Sequence, residues 1–325
     1  MEKSNRNSLI EILRFVFAFF IIFYHNYFVV DIPIFCNANY AVDFFFVITG
    51  MYMTKTIAKY DDLPAVKGGY KLLIDRFIKL GIPLLICYVA SIACNVFSQS
   101  GEMKIHYLWF IHIMFISYLL FFILWRVFKK DKSYFYFVTY IILFFSAILR
   151  FGAMIDFGVP IFNKFFADSY YFDELRGLTC IPIGMFLALI PSINFKNEKK
   201  KRIISWTVVI AALVFIIGTL FVSSINVTWK RIIEIIVDLV MFPAILYFAQ
   251  YISFNNKVLN ILGESALYLY IYQSIAALER ALNVDSGIFL FASIVIATAI
   301  TMIWKIEIRK RKATKSISAI CTTRL

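Results

Sequence analysis

The stretch LIEILRFVFAFFIIFYHNYFVV, Leu9–Val30, decides how this chain must be read. It is long enough to cross about 30 Å of hydrocarbon as a helix, which takes roughly 18 or more mostly apolar residues. Lys3 and Arg6 precede it and no A-x-A-like cleavage site follows, so it reads as a retained first span and not as a cleaved leader. Its polar residues, above all Arg14 and His25, then have to be explained inside a membrane.

The remainder of the 325 residues has the same character: 62% are hydrophobic, 18% aromatic and only 16% charged. Soluble domains hold about 45–50% apolar and about 25% charged residues, so soluble enzyme folds are excluded. Long apolar runs call for helices and not barrel strands. Breaks in these runs predict ten spans, at Leu9–Val30, Ala41–Ala58, Leu80–Phe97, Tyr107–Trp125, Tyr134–Leu149, Glu174–Ile190, Ile203–Val222, Ile232–Tyr251, Leu259–Leu278 and Gly287–Trp304. No internal repeat appears, and residues 305–325 form a short basic tail too small to be a domain. Residues 1–325 are therefore expected to be one all-α, polytopic membrane unit.

Alternate connections carry 24 Lys and Arg against 6 on the opposite connections. That bias predicts that both termini are cytoplasmic. The formal charge of +13 needs no nucleic acid to explain it, because the bases lie between apolar runs and not on one folded face. The five cysteines form no CxxC pair, and His106 and His112 fall about 240° apart on a helix, so no disulfide framework or metal site is expected.

Ionisable groups inside spans are functional candidates. Arg14 and His25 are eleven residues apart, so they share one helix face and lie about 16 Å apart along the axis. Arg14 can alternatively snorkel to headgroups, and His25 can hide as a neutral imidazole bonded to a carbonyl. Asp43 opens the second span at the expected depth of His25; it reads either as a carboxylate orienting the imidazole or as an acid favoured at a helix N-terminus. Arg176 begins the sixth span, where an interfacial anchor is the competing reading.

Several motifs together resemble the acyltransferase 3 family of integral membrane proteins. Arg14 to His25 is similar to its Arg-x10-His motif, and Asp43-Phe44-Phe45-Phe46-Val47-Ile48-Thr49-Gly50 to its Asp-x-Phe-Phe-x-x-Ser-Gly stretch. Arg76-Phe77-Ile78-Lys79 resembles the Arg-x-x-Arg loop with Lys at the second position. Leu108-Trp109-Phe110-Ile111 and Leu175-Arg176-Gly177-Leu178 resemble two further stretches, and Gln273 stands where relatives often carry His.

The resemblance implies an O-acyltransferase of bacterial surface glycans in the inner membrane. Its donor would be cytoplasmic acyl-coenzyme A, acetyl by default, with no permanently bound cofactor. Arg14, Arg76 and Lys79 would hold the donor's phosphates, although Lys lacks arginine's bidentate fork. His25 would deprotonate the glycan hydroxyl or form an acyl-His relay, Asp43 would orient it, and Arg176 would meet the acceptor. A polytopic transporter or a non-catalytic subunit of exopolysaccharide export is the alternative.

Overall fold

The computed structural model describes residues 7–25, 40–97, 109–154, 169–220, 227–252, 254–272, 292, 294–304 and 306–307. Among them there is no strand. The helices are α1 (Ser8–His25), α2 (Ala41–Ala58), α3 (Ala65–Phe97), α4 (Trp109–Val127), α5 (Lys132–Met154), α6 (Ser169–Leu187), α7 (Glu198–Leu220), α8 (Val227–Ile236), a π-helical turn (Val237–Met241), α9 (Phe242–Ala249) and α10 (Lys257–Tyr272). A further apolar helix covers Ile294–Trp304. Five segments, α2, α4, most of α5, α7 and Ile232–Ala249, are long and apolar enough to cross a membrane.

The hydrophobic side chains that would be unfavourable in water lie on the outside. Phe137, Tyr140, Phe144 and Phe145 of α5 and Ile210 and Val214 of α7 are all exposed. A helix turned outward in this way is stable against acyl chains and not against solvent. By contrast α2 is apolar nearly all round and buried nearly all round, which makes it the centre of the bundle.

Backbone contact with α6 holds α2 there. A Cβ added at Gly50 would lie 1.9 Å from the Ile181 carbonyl oxygen, and one added at Gly184 would lie 1.9 Å from that of Val47. Between membrane helices the close approach of small residues takes the place of the hydrophobic effect. A ring triad joins α1, α2 and α9: Phe17 and Phe44 lie 4.3 Å apart, and Phe242 lies 5.5 Å and 5.3 Å from them.

Polar side chains close the helix ends that hydropathy cannot. Asn7 Oδ1 accepts from the Leu9 amide while its Nδ2 donates to the Ala249 carbonyl, tying the start of α1 to the end of α9. Asn256 Oδ1 caps α10 in the same manner, and its own amide donates to Ser8 Oγ. Arg126 donates to the backbone and carboxylate of Asp61, which joins the end of α4 to the turn after α2. The connections that meet in this way are the basic ones, and they share one end of the bundle.

Three expected boundaries change. The 33-residue α3 runs straight through the basic segment expected as a loop, so Arg76 and Lys79 sit on a helix of about 50 Å that outreaches the bilayer. Arg150, expected to open a connection, is helical and wholly buried in α5. Tyr170, Tyr171 and Phe172 fall within α6 and not in that connection; their side chains, like those of His25 and Lys79, lie outside the described residues, as do Gln273 and His106. A boundary of hydropathy is not a helix end, which is why these differ.

If the crossing of α2 and α6 depends on backbone contact, Gly184→Val should lower stability by more than the about 1–3 kcal/mol usual for overpacking. The thermal midpoint of purified protein in detergent checks this, with Gly218→Val, where nothing lies within 4 Å of an added Cβ, as the tolerated control.

Candidate functional site

Five ionisable side chains from four segments meet in the interior of the bundle. Asp43 comes from the first turn of α2, Arg150 from the last turns of α5, Arg176 from α6, and Glu234 and Asp238 from α8 and the π turn. Arg150 Nη2 lies 2.7 Å from Glu234 Oε1, 2.7 Å from Asp238 Oδ2 and 3.1 Å from Asp43 Oδ2. Arg176 grips Asp43 with a fork, Nε donating to Oδ1 at 2.9 Å and Nη2 to Oδ2 at 3.0 Å. Its guanidinium also lies 5.3 Å from the Trp109 ring.

The burial is nearly complete: Arg150, Asp43 and Asp238 are 0% exposed, Glu234 7% and Arg176 8%. Charges so placed survive in low dielectric only when paired and hydrogen-bonded. Asp238 follows Glu234 by four residues, which brings both acids to one helix face, and the π turn that begins at Val237 shifts the register there. Asp43, Cys180 and Asp238 also bring their ligand atoms within 4.8 Å of one another. The cation among them is Arg150, whose Nη1 donates to Cys180 Sγ at 3.3 Å while Nη2 takes the carboxylates.

Asp43 does not sit where the sequence reading puts it. Phe44 packs on Phe17, which precedes His25 by eight residues, or about 12 Å of helix. Asp43 therefore lies near the level of Phe17, well short of the backbone of His25, and both of its oxygens are engaged by arginines. Arg176, expected to face an acceptor, is buried against Asp43 and Trp109.

The expected donor cations lie towards the basic end. Arg14 Nη1 donates to Glu11 Oε2 at 2.8 Å, one turn earlier on α1. Gly263 of α10 packs so closely on Glu11 that an added Cβ would lie 2.7 Å from its Cα. Arg76 lies 4.9 Å over the Tyr118 ring. Both arginines keep a buried Nε that donates to nothing among the described residues. Next to Arg76, the Tyr60 hydroxyl donates to Asp75 Oδ2 at 2.6 Å. Burial, with that hydrogen bond, pushes the phenol up to about 12.

Sequence reasoning missed Arg150, Glu234, Asp238 and Cys180. Two acids four residues apart in Ile232–Tyr251 were a legible signal, because acids inside a span are functional candidates. The π turn was not legible.

Helices that bury their charges and turn their apolar side chains outward define a polytopic membrane protein with an ionised core. The chain matches the acyltransferase domain of the acyltransferase 3 family over residues 7–306 and belongs to that family, which makes it a membrane acyltransferase. Neither the comparison with curated proteins nor that with solved structures gave a match.

Removing Arg150 would leave three buried carboxylates short of a partner. Arg150→Met should therefore cost about 3–5 kcal/mol, read as a collapse of folded yield and thermal midpoint, and Glu234→Gln with Asp238→Asn in the same chain should recover part of it. For Tyr60 the neutral phenol is the favoured form. Its contribution is complete below pH 10, the ordinary value, and lost as pH rises towards about 12. Comparing thermal midpoints at both ends of that window, Tyr60→Phe should show a smaller alkaline loss than the unaltered protein.

Proposed function

We propose that this protein moves an acyl group, acetyl by default, from cytoplasmic acyl-coenzyme A to a hydroxyl of a cell-surface or lipid-linked glycan. The enzyme would work in the inner membrane with both termini in the cytoplasm. The observation that carries the reading is the state of Arg14 and Arg76: each belongs to a family-like motif, and each keeps a buried Nε with no protein acceptor among the described residues. A polyanionic donor supplies such acceptors through its phosphates, and arginine is the residue suited to take them. Lys79, the fourth residue of the same motif, would add a point charge to that set.

From these cations the thioester arm reaches along α1 towards His25, about 16 Å from Arg14. His25 accepts the proton of the acceptor hydroxyl as its oxygen attacks the thioester carbonyl. The C–S bond breaks, the coenzyme A thiolate leaves, and the imidazolium returns the proton to it. Asp43 contributes as the fixed partner of Arg176, not as a direct partner of His25, and Arg176 with Trp109 stiffens the wall on the acceptor side.

The test uses purified protein in lipid vesicles with radiolabelled acetyl-coenzyme A and a mixed glycan acceptor pool. His25→Ala should still bind donor while coenzyme A release and labelled ester fall by about 10²–10⁴-fold. Arg76→Gln should raise the KM for donor on the order of tenfold with a smaller change in kcat. A folded His25→Ala protein that acylates at the normal rate would overturn the assignment of the base, and failure of the unaltered protein to bind donor would overturn the enzyme reading.

A further inference from the structure

The basic run Lys196–Arg202 does more than mark a side of the membrane. Asn197 Oδ1 accepts from the amides of Lys199 and Lys200, so the run is helical from Glu198 onward. Lys201 is committed to Glu198, at 3.1 Å. Lys199 and Arg202 instead line an open groove of about 580 Å³ whose described lining continues through Ile203, Trp206, Thr207, Ile210 and Ala211.

These positions are spaced i, i+3, i+4, i+7, i+8, i+11 and i+12, which is one continuous stripe of α7. The face of α7 packed into the bundle is a different one, carrying Ser205, Val209, Ala212 and Ile216. From Lys199 to Ala211 the stripe is about 18 Å long, close to the roughly 15 Å of hydrocarbon in one leaflet. Cationic at one end, aromatic at its midpoint and aliphatic beyond, it has the polarity profile of one phospholipid molecule.

We propose that this groove is a binding site for an anionic phospholipid, its phosphate held by Lys199 and Arg202 and an acyl chain laid along Ile203, Trp206 and Ile210. Charge complementarity selects the anionic headgroup, because two cations at the interface attract it and a zwitterion gains little. The indole of Trp206 is placed to pack against the upper part of the chain and to report on it.

The experiment reconstitutes the full chain in phosphatidylcholine vesicles containing an equal small mole fraction of either brominated phosphatidylglycerol or brominated phosphatidylcholine. Quenching of Trp206, isolated by subtracting the Trp206→Phe protein, should indicate on the order of tenfold enrichment of the anionic lipid. The double variant K199Q/R202Q should abolish that preference. The variant K196Q/K200Q, with the same loss of charge and also on exposed residues, should keep it. Equal quenching by both lipids, or equal loss of preference in both variants, would overturn the site and reduce the run to diffuse surface charge. Circular dichroism of each variant checks that it is folded.

Discussion

One guanidinium enclosed by three carboxylates organises the interior. Each charge would cost several kcal/mol alone in hydrocarbon, and Arg150 answers Asp43, Glu234 and Asp238 from a single nitrogen. α2, α5, α6 and the α8 segment each contribute a member, and Asp43 joins the two arginines by pairing with both. Replacement by apolar side chains of the same volume would give a bundle at least as stable. What the ionic group adds is selectivity among packings: a helix displaced by one turn, about 5.4 Å, strands an ion in the core. Arg176 extends the same logic to Trp109 on α4.

The basic end of the molecule is built differently from that interior. Basic connections, capped helix starts and the arginines Arg14 and Arg76 gather towards one end. The ionic group lies deeper in the bundle, with Asp43 near the level of Phe17. α1 carries both ends of the Arg-x10-His motif, with Arg14 near its start and His25 at its end. Its packing against α10, with Gly263 pressed on Glu11, therefore bears on the angle at which Arg14 is presented as well as on stability.

Much of this was legible in the residues. α2 has the bounds that hydropathy predicts, Ala41–Ala58, and Asp43 and Arg176 stood out as charges inside spans. Their mutual pairing did not, because 133 positions separate them and no periodicity links two helices. Arg150 was lost for a physical reason. A hydropathy break at an arginine looks like the end of a span, whereas a guanidinium with three acceptors can continue a helix inside one. Conversely, α3 passes through its basic segment because leaving the membrane does not end a helix, only its apolar character. The acids of Ile232–Tyr251 were visible but unweighed, and the π turn that sets Asp238 depends on packing that no local pattern encodes.

The contact between α2 and α6 also determines how freely this sequence can drift. At most buried sites a larger side chain is accommodated when a neighbour shrinks, so exchange is possible in pairs. At Gly50 and Gly184 the obstacle is the carbonyl of Ile181 or Val47, which every amino acid carries. No second substitution makes room. Those two positions are closed to gradual change whatever chemistry the protein performs, while the lipid-facing surfaces of α5 and α7 can exchange one apolar residue for another with little effect on the fold.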